Sequence, residues 1–353
     1  MVMIGMRLGR IVGLASLLVL LAGCMEEDVV DDGGGDSNSE TPDDLEDGLT
    51  LPGIDAALPS YVDEARDHML GKESNEYQPP DPAYRDAWGR AVADLAAGRF
   101  EDLEQELNDH LSFYQLDWIE TDGDRFAVIE PANPDDHRGW GRVLANPDGT
   151  RPLVLEAPHA AFGLHTAVEA ARLFEGLSAR FLLLAGAHRC ANNLDSGCDG
   201  TTGVCLAGGG DEPFRESDDA HATDSQFQIA HETLASNPDR IAISLHGNGR
   251  SACGDLFISA GVAEAQPAIV SDLAAAIPDG AGLEVAVEGP DAECPLPGTT
   301  NVQGRFSNGS DSPCTEPAQS ASGRFLHLEQ SLDLRENHVE ALAEALGRTI
   351  PAE

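Results

Sequence analysis

Leu153-Val154-Leu155-Glu156-Ala157-Pro158-His159, Phe181-Leu182-Leu183-Leu184-Ala185-Gly186-Ala187-His188-Arg189 and Ile241-Ala242-Ile243-Ser244-Leu245-His246-Gly247 share one form, a short apolar run leading into a histidine. Runs of this length beside Pro and Gly are the mark of strands buried on both faces, where alternation with polar residues disappears. Phe126–Ile129, Leu283–Val287 and Phe325–Leu328 read the same way. Helical spacing occupies Thr166–Leu177, Ser225–Ala235, Val262–Ile277 and Glu336–Leu346 between them. Alternation of short strands with helices predicts an α/β fold, a mostly parallel or mixed central sheet with helices on both faces, over residues 119–353.

Residues 51–118 have a different character. Pro59-Ser60 opens one helical segment, and Asp86 to Leu111 places Trp88, Val92, Leu95 and Leu103 at helical spacing, so a small helical preface is expected before the sheet. Residues 24–50 hold eleven acids between Met25 and Thr50, no Lys or Arg, and the run Gly33-Gly34-Gly35, a composition with too little apolar surface to offset ordering entropy. This stretch reads as a disordered acidic tether. Residues 1–23 carry Arg7 and Arg10, then the apolar run Ile11 to Ala22, then Leu21-Ala22-Gly23-Cys24. That is a signal peptide with a lipobox: the run falls short of the roughly 20 residues a membrane helix needs, and small residues precede the cysteine. Bacterial lipoproteins look like this. The likeness implies that acyl chains on Cys24 anchor the protein in the cell envelope, and Met25 in place of Asp resembles outer-membrane sorting.

Composition narrows the function. The 353 residues include 62 acids against 21 bases, a formal net charge of -41, which opposes binding to nucleic acid or to an anionic membrane surface, so the membrane is met only through the lipid. Hydrophobic residues make up 41% of the chain, enough for a large core. Beyond Cys24 there remain Cys190, Cys198, Cys205, Cys253, Cys294 and Cys314, an even number in an exported chain, which predicts three disulfides. Their spacings match no zinc ribbon or finger.

In α/β sheets ligands bind outside the carboxyl ends of the strands, where His159, His188 and His246 are expected. A catalytic zinc takes three protein ligands and leaves one position open. His159 and His246 are the first two candidates. His165 is preferred as the third over Glu169, because Thr166-Ala167-Val168-Glu169 has the form of a capping box that gives Glu169 a structural task. Glu329, at the end of Phe325-Leu326-His327-Leu328-Glu329, is the candidate general base. Arg189 and Arg305 are candidates to bind a substrate carboxylate through paired hydrogen bonds.

Taken in order, Pro158-His159, Ala187-His188-Arg189, Asp219-Ala220-His221 with Phe227 and His231, Leu245-His246-Gly247, and Leu326-His327-Leu328-Glu329-Gln330 with Arg335 resemble the N-formylglutamate amidohydrolase and zinc carboxypeptidase superfamily. The resemblance spans Leu153 to Leu346. It implies a phosphorylase/hydrolase-like fold, one Zn2+ per chain and hydrolysis of an amide or peptide bond in a small molecule or peptide. Zinc carboxypeptidases carry HxxE as the first ligand pair, whereas His159-Ala160-Ala161-Phe162 puts phenylalanine at the glutamate position. Two other enzyme readings lack their signatures: a serine hydrolase would show GxSxG, and a nucleotide-binding enzyme a P-loop or a GxGxxG after a strand. The non-enzymatic alternative is a metal-free binding or surface lipoprotein on the same scaffold.

Overall fold

The structure is a computed structural model and describes residues 49–353 apart from 122, 135, 137, 207–209 and 264. Residues 1–23, read above as a signal peptide, Cys24 and all but the last two residues of the stretch read as a tether lie outside the described residues. Eleven strands occur among the described residues: β1 Tyr114–Glu120, β2 Arg125–Pro131, β3 Arg142–Ala145, β4 Arg151–Ala157, β5 Ala179–Leu184, β6 Thr201–Thr202, β7 Glu212–Pro213, β8 Ile241–Gly247, β9 Leu256–Ser259, β10 Val285–Val287 and β11 Phe325–Gln330. Nine of them form one sheet in the order β1-β2-β3-β5-β4-β8-β11-β9-β10, while β6 and β7 pair separately. The four central strands β5, β4, β8 and β11 run parallel. On one side β3, β2 and β1 join antiparallel, and on the other β9 lies antiparallel to β11 with β10 parallel to it. The sheet is mixed, with a parallel centre.

The helices are α1 Ala57–Asp67, α2 Pro82–Ala96, α3 Phe100–His110, α4 Thr166–Gly176, α5 Gln226–Ala235, α6 Ala268–Ala276, α7 Val302–Ser307, α8 Leu332–Asn337 and α9 Val339–Thr349. One layer joins α1, α4, α9 and α6, and the other joins α2, α5 and α7. The helical spacing read from Asp86 to Leu111 belongs to two helices, because Gly98 takes φ +68 and turns the chain between α2 and α3. Glycine populates that left-handed region without steric cost, so it ends the first helix. Asp81 caps α2 by accepting from the Tyr84 amide, with Pro82 in the first turn.

The main core runs through both the preface and the sheet. Leu58, Trp88 and Leu103 from α1 to α3 share it with Phe126, Leu155, Phe174, Leu245 and Leu346. Trp88 stacks on Tyr114 at 4.5 Å and donates its indole N–H to the Gln226 carbonyl at 2.8 Å, which locks α2 to both β1 and α5. Burying several aromatic side chains of this size, at roughly 25 cal/mol per Å² of apolar surface, makes α1 to α3 a covering layer of the same folded body.

A candidate metal centre at the switch point of the sheet

Chain order fixes where a ligand can sit. From β4 the chain moves to β5 on one side, then crosses back past β4 to β8 and on to β11. The direction reverses between β4 and β8, and at such a reversal a crevice opens outside the carboxyl ends of the strands. His159 stands two residues beyond β4, and His246 is the penultimate residue of β8. Strand register supplies the rest. Ser244 pairs with His327 and His246 with Glu329 across β8 and β11, and a period of two turns all four side chains to one face.

The two imidazoles face each other in a defined way. His159 Nε2 lies 2.8 Å from Asp218 Oδ1, His246 Nε2 lies 3.0 Å from the Ser244 hydroxyl, and the two Nδ1 atoms stand 3.2 Å apart. His327 packs on His246 with ring centroids 4.4 Å apart, and its Nε2 is 3.7 Å from Glu329 Oε1. His246, His327 and Glu329 converge as one group of donors, and His159, Asp218 and His221 as a second beside it. Gly298 closes over His327 with φ +70; a Cβ there would fall 2.7 Å from the imidazole ring, so only glycine allows the loop this near.

Burial sets the charge states. It pushes His159 down to about 4 and His327 down to about 3, and it takes His246 well below its ordinary value, helped by His327 and His159. All three imidazoles are therefore neutral and keep a lone pair. Burial alone would raise Asp218, but Arg189, His221 and His159 together outweigh it and hold the carboxyl well below the usual carboxylate range. Arg189 donates from Nε and Nη2 to Asp218 Oδ2 at 3.0 and 2.6 Å. Burial pushes Glu329 up to about 8 against the pull of Arg189, Arg335 and Arg250. Three neutral imidazoles, the Asp218 carboxylate and the Glu329 carboxyl, which a cation would ionise, fit a divalent metal of borderline softness. The 3.2 Å separation of the two Nδ1 atoms also equals the edge between ligands of a tetrahedral ion with bonds of about 2.0 Å.

The cavity above this floor measures about 660 Å3. Its walls come from Thr201–Val204 and from Pro295–Asn301, with Phe214 and Arg250 completing the rim. The six cysteines pair as Cys190–Cys205, Cys198–Cys314 and Cys253–Cys294, and each bond fastens a wall segment or its neighbour. His221 stacks on Phe214 at 3.6 Å and stands 3.2 Å from the Thr300 hydroxyl, tying the rim and the Pro295–Asn301 wall to Asp218.

The candidates from the sequence divide into two sets. His159, His246, Glu329 and Arg189 come together in the crevice. His165 does not: it sits at φ +67 before α4, half-exposed, with Nε2 3.1 Å from Glu336 Oε1. Nor does Glu169, which is buried in α4 and accepts from Gln330 Nε2 at 3.2 Å on the other side of β11 from Glu329. The capping box is not formed, since Thr166 Oγ1 donates to the Gly163 carbonyl and lies inside the first turn. Arg305 is buried and fully employed: it pairs with Asp199 and donates to the carbonyls of Thr299, Pro313 and Cys314. It staples the wall and offers nothing to the cavity. His327, Asp218 and Arg250 were not singled out by sequence. For His327 the signal was present, because alternation on β11 puts it on the face of Glu329; Asp218 and Arg250 lie in loops with no period to read.

One further polar chain lies under the floor. Ser307 Oγ is 3.0 Å from His231 Nε2, and His231 Nδ1 is 2.5 Å from Glu156 Oε1. It has the order of a serine-hydrolase relay, yet all three side chains are buried and none lines the cavity, so it pins α5 and α7 to β4.

No protein-family model matches this chain, and no curated protein does. Among solved structures, N-formylglutamate amidohydrolase from Ralstonia eutropha JMP134 is similar at 16% identity and a TM-score of 0.31, over 59% of this chain and 94% of that one. A "putative metallopeptidase" from Shewanella amazonensis SB2B is similar at 14% identity and a TM-score of 0.31, over 74% of this chain and 95% of that one. A second from Shewanella denitrificans OS217 gives 14% identity, 0.31, and 74% and 92%. Superpositions this loose carry neither a site residue nor an activity across.

Proposed function

We propose that this protein is a zinc-dependent hydrolase of amide or peptide bonds, acting on an N-acyl amino acid, a peptide or a fragment of the cell envelope. The observation that carries this reading is the pair of Nδ1 atoms 3.2 Å apart, each on an imidazole whose Nε2 is already held, by Asp218 and by Ser244. Such partners fix the tautomer and aim the free nitrogen, the usual arrangement around a ligated metal. His159 and His246 would hold the zinc with His327 as the third donor, and the ion supplies Lewis acidity at the substrate carbonyl.

The chain's own groups do the rest. Glu329 takes a proton from the attacking water at its carboxylate and returns it to the leaving nitrogen as the C–N bond breaks. Its raised pKa of about 8 would be drawn back toward neutrality by a cation beside it, into the range where one group serves as base and then acid. Arg189 keeps Asp218 ionised and so keeps His159 oriented. Arg250 stands on the rim with no side-chain hydrogen bond or ion pair among the described residues, and it takes the place assigned from sequence to Arg305 as a contact for substrate charge.

The same reading places the enzyme outside the cytoplasm. The signal-like residues 1–23, the lipobox cysteine Cys24 and the three disulfides support an envelope protein held by lipid, facing small-molecule or peptide substrates and no nucleic acid.

Elemental analysis tests the proposal. About one zinc per chain is expected, lost in the His159→Ala, His246→Ala double variant, with N-acyl amino acid hydrolysis abolished by chelation and restored by zinc. A folded chain that takes up no metal would sink the hydrolase reading and leave the metal-free binding protein in its place.

A further inference from the structure

At the opposite end of the sheet, where the parallel strands begin, lies a second cavity of about 370 Å3. Arg180, the second residue of β5, and Arg240, which precedes β8, line it with Phe100, Asn146, Phe181 and Asn237. In a chain with 62 acids and 21 bases, guanidinium groups generally find carboxylates, as Arg85 does with Asp224, Arg172 with Glu340 and Arg305 with Asp199. Among the described residues Arg180 and Arg240 form no ion pair. Asp239 and Glu353 also line it, but both are exposed and neither pairs with these arginines.

Arg240 is half accounted for by the fold. Its Nη1 donates to the Leu234 carbonyl in the last turn of α5 at 3.0 Å, and its guanidinium lies 4.6 Å from the Phe181 ring centre. Arg180 has no such task; its side chain makes no hydrogen bond among the described residues. The two cations feel each other, since burial and then Arg180 lower the pKa of Arg240. A partly buried pair of like charges is unfavourable unless an anion joins it. The two asparagines are set to help such an anion. Asn146 accepts the Asp148 amide on its Oδ1 at 3.1 Å and Asn237 accepts the Asp239 amide on its Oδ1 at 3.0 Å, so each is left with its NH2 group as a spare donor.

We propose that this cavity binds a small doubly charged oxyanion, a phosphate or a phosphate monoester, through Arg180, Arg240 and the amides of Asn146 and Asn237. Planar guanidinium forks match the edge of a phosphoryl group, and no described carboxylate competes for them at contact distance. The anion is a soluble one: a net charge of -41 opposes approach to a bilayer of anionic headgroups.

The test is thermal unfolding and calorimetric titration of the purified chain with inorganic phosphate, at an ionic strength held constant with chloride. A saturable rise in Tm with phosphate is expected, as for any ligand that binds the folded state alone. The rise should persist in the His159→Ala, His246→Ala variant, which removes the metal centre as a competing anion site. In Arg180→Gln the phosphate Kd should rise at least tenfold, while the Tm without phosphate should hold or increase because the like-charge contact is gone. A phosphate response no larger than that of chloride overturns the proposal, as does one that survives in the Arg180→Gln, Arg240→Gln double variant. Uptake by phosphatidic acid vesicles with no response to free phosphate would also overturn it.

Discussion

The floor and the walls of the large cavity are built by different means. The floor is carried on strands: register between β8 and β11 places Ser244, His246, His327 and Glu329 on one face, and backbone hydrogen bonds hold them there. The walls are loops, held by three disulfides and by Arg305. A floor made of sheet keeps its atoms to within fractions of an ångström, which proton transfer and metal binding both require. Walls made of cross-linked loop can be of any sequence, and they decide what enters. In this molecule the chemistry and the selectivity should therefore fail separately.

The largest separation should come from Glu329→Gln. If Glu329 moves the proton, kcat falls by about 10²- to 10⁴-fold while zinc content and fold are kept, read by steady-state kinetics beside elemental analysis. Retention of full activity would remove Glu329 from the chemistry. Loss of zinc would instead make it a ligand with His246 and His327, which the convergence of those three groups also permits.

The underside of the floor gives the next. Burial pushes Glu169 up to about 8, against the pull of Arg335, Gln330 and Arg172, whereas the unfolded chain titrates near about 4.3. A folded pKa above the unfolded one means that this residue's contribution is full below about pH 4 and is lost as pH climbs through about 8, because ionisation favours the unfolded chain. Urea midpoints of the wild type and Glu169→Gln, measured from pH 4 to pH 9, should coincide best in acid and diverge with rising pH, the variant being the more stable. A difference that does not change with pH would show that Glu169 is ionised in the folded state.

Removing Cys253–Cys294 tests the walls. The bond spans 41 residues and joins the segment after β8 to the start of the Pro295–Asn301 wall. The double serine variant should lose about 2 to 4 kcal/mol of stability. KM should rise while zinc stoichiometry stays at one, since β8, β11 and the turn after β4, rather than that loop, carry His246, His327 and His159. Zinc loss in this variant would mean that floor and walls form one unit.

The sequence made the floor partly legible and the walls hardly at all, for the same physical reason. Strands buried on both faces leave continuous apolar runs, so β4, β5, β8 and β11 and the histidines His159 and His246 could be read directly. β1 escaped because, as an edge strand, it has no continuous apolar run, with Gln115 and Asp117 turned to solvent between partly buried Leu116 and Trp118. β3 and β9, four residues each, are too short to stand out. His165 drew attention by its nearness in sequence to His159, yet the left-handed turn at the start of α4 sends its ring toward Glu336. Arg305 looked free because its partners, Asp199 and the carbonyls of Pro313 and Cys314, come from loops distant from each other in sequence that meet at the disulfide Cys198–Cys314. Helices α4 and α5 were placed to within a residue at each end and α6 starts later than its spacing suggested, whereas the break between α2 and α3 went unread because the short turn Ala97-Gly98-Arg99 separates two segments of similar helical spacing.

Asp218 lies where floor meets wall, and its substitution is the finest test of the distinction. It touches His159, His221 and Arg189 together. If it orients His159 from behind, Asp218→Asn keeps a zinc ion but weakens its affinity by about 10- to 100-fold, the usual cost of changing the partner of a ligating histidine. Competition with a chelator would measure that shift, and thermal unfolding of the metal-free variant would account for the stability lost when Arg189 is left without its carboxylate. Complete loss of zinc would move the ion to His159, Asp218 and His221, making the loop part of the metal site. An unchanged affinity would mean that Ser244 and the sheet alone hold the imidazoles in place, and that the floor needs nothing from the walls to bind its metal.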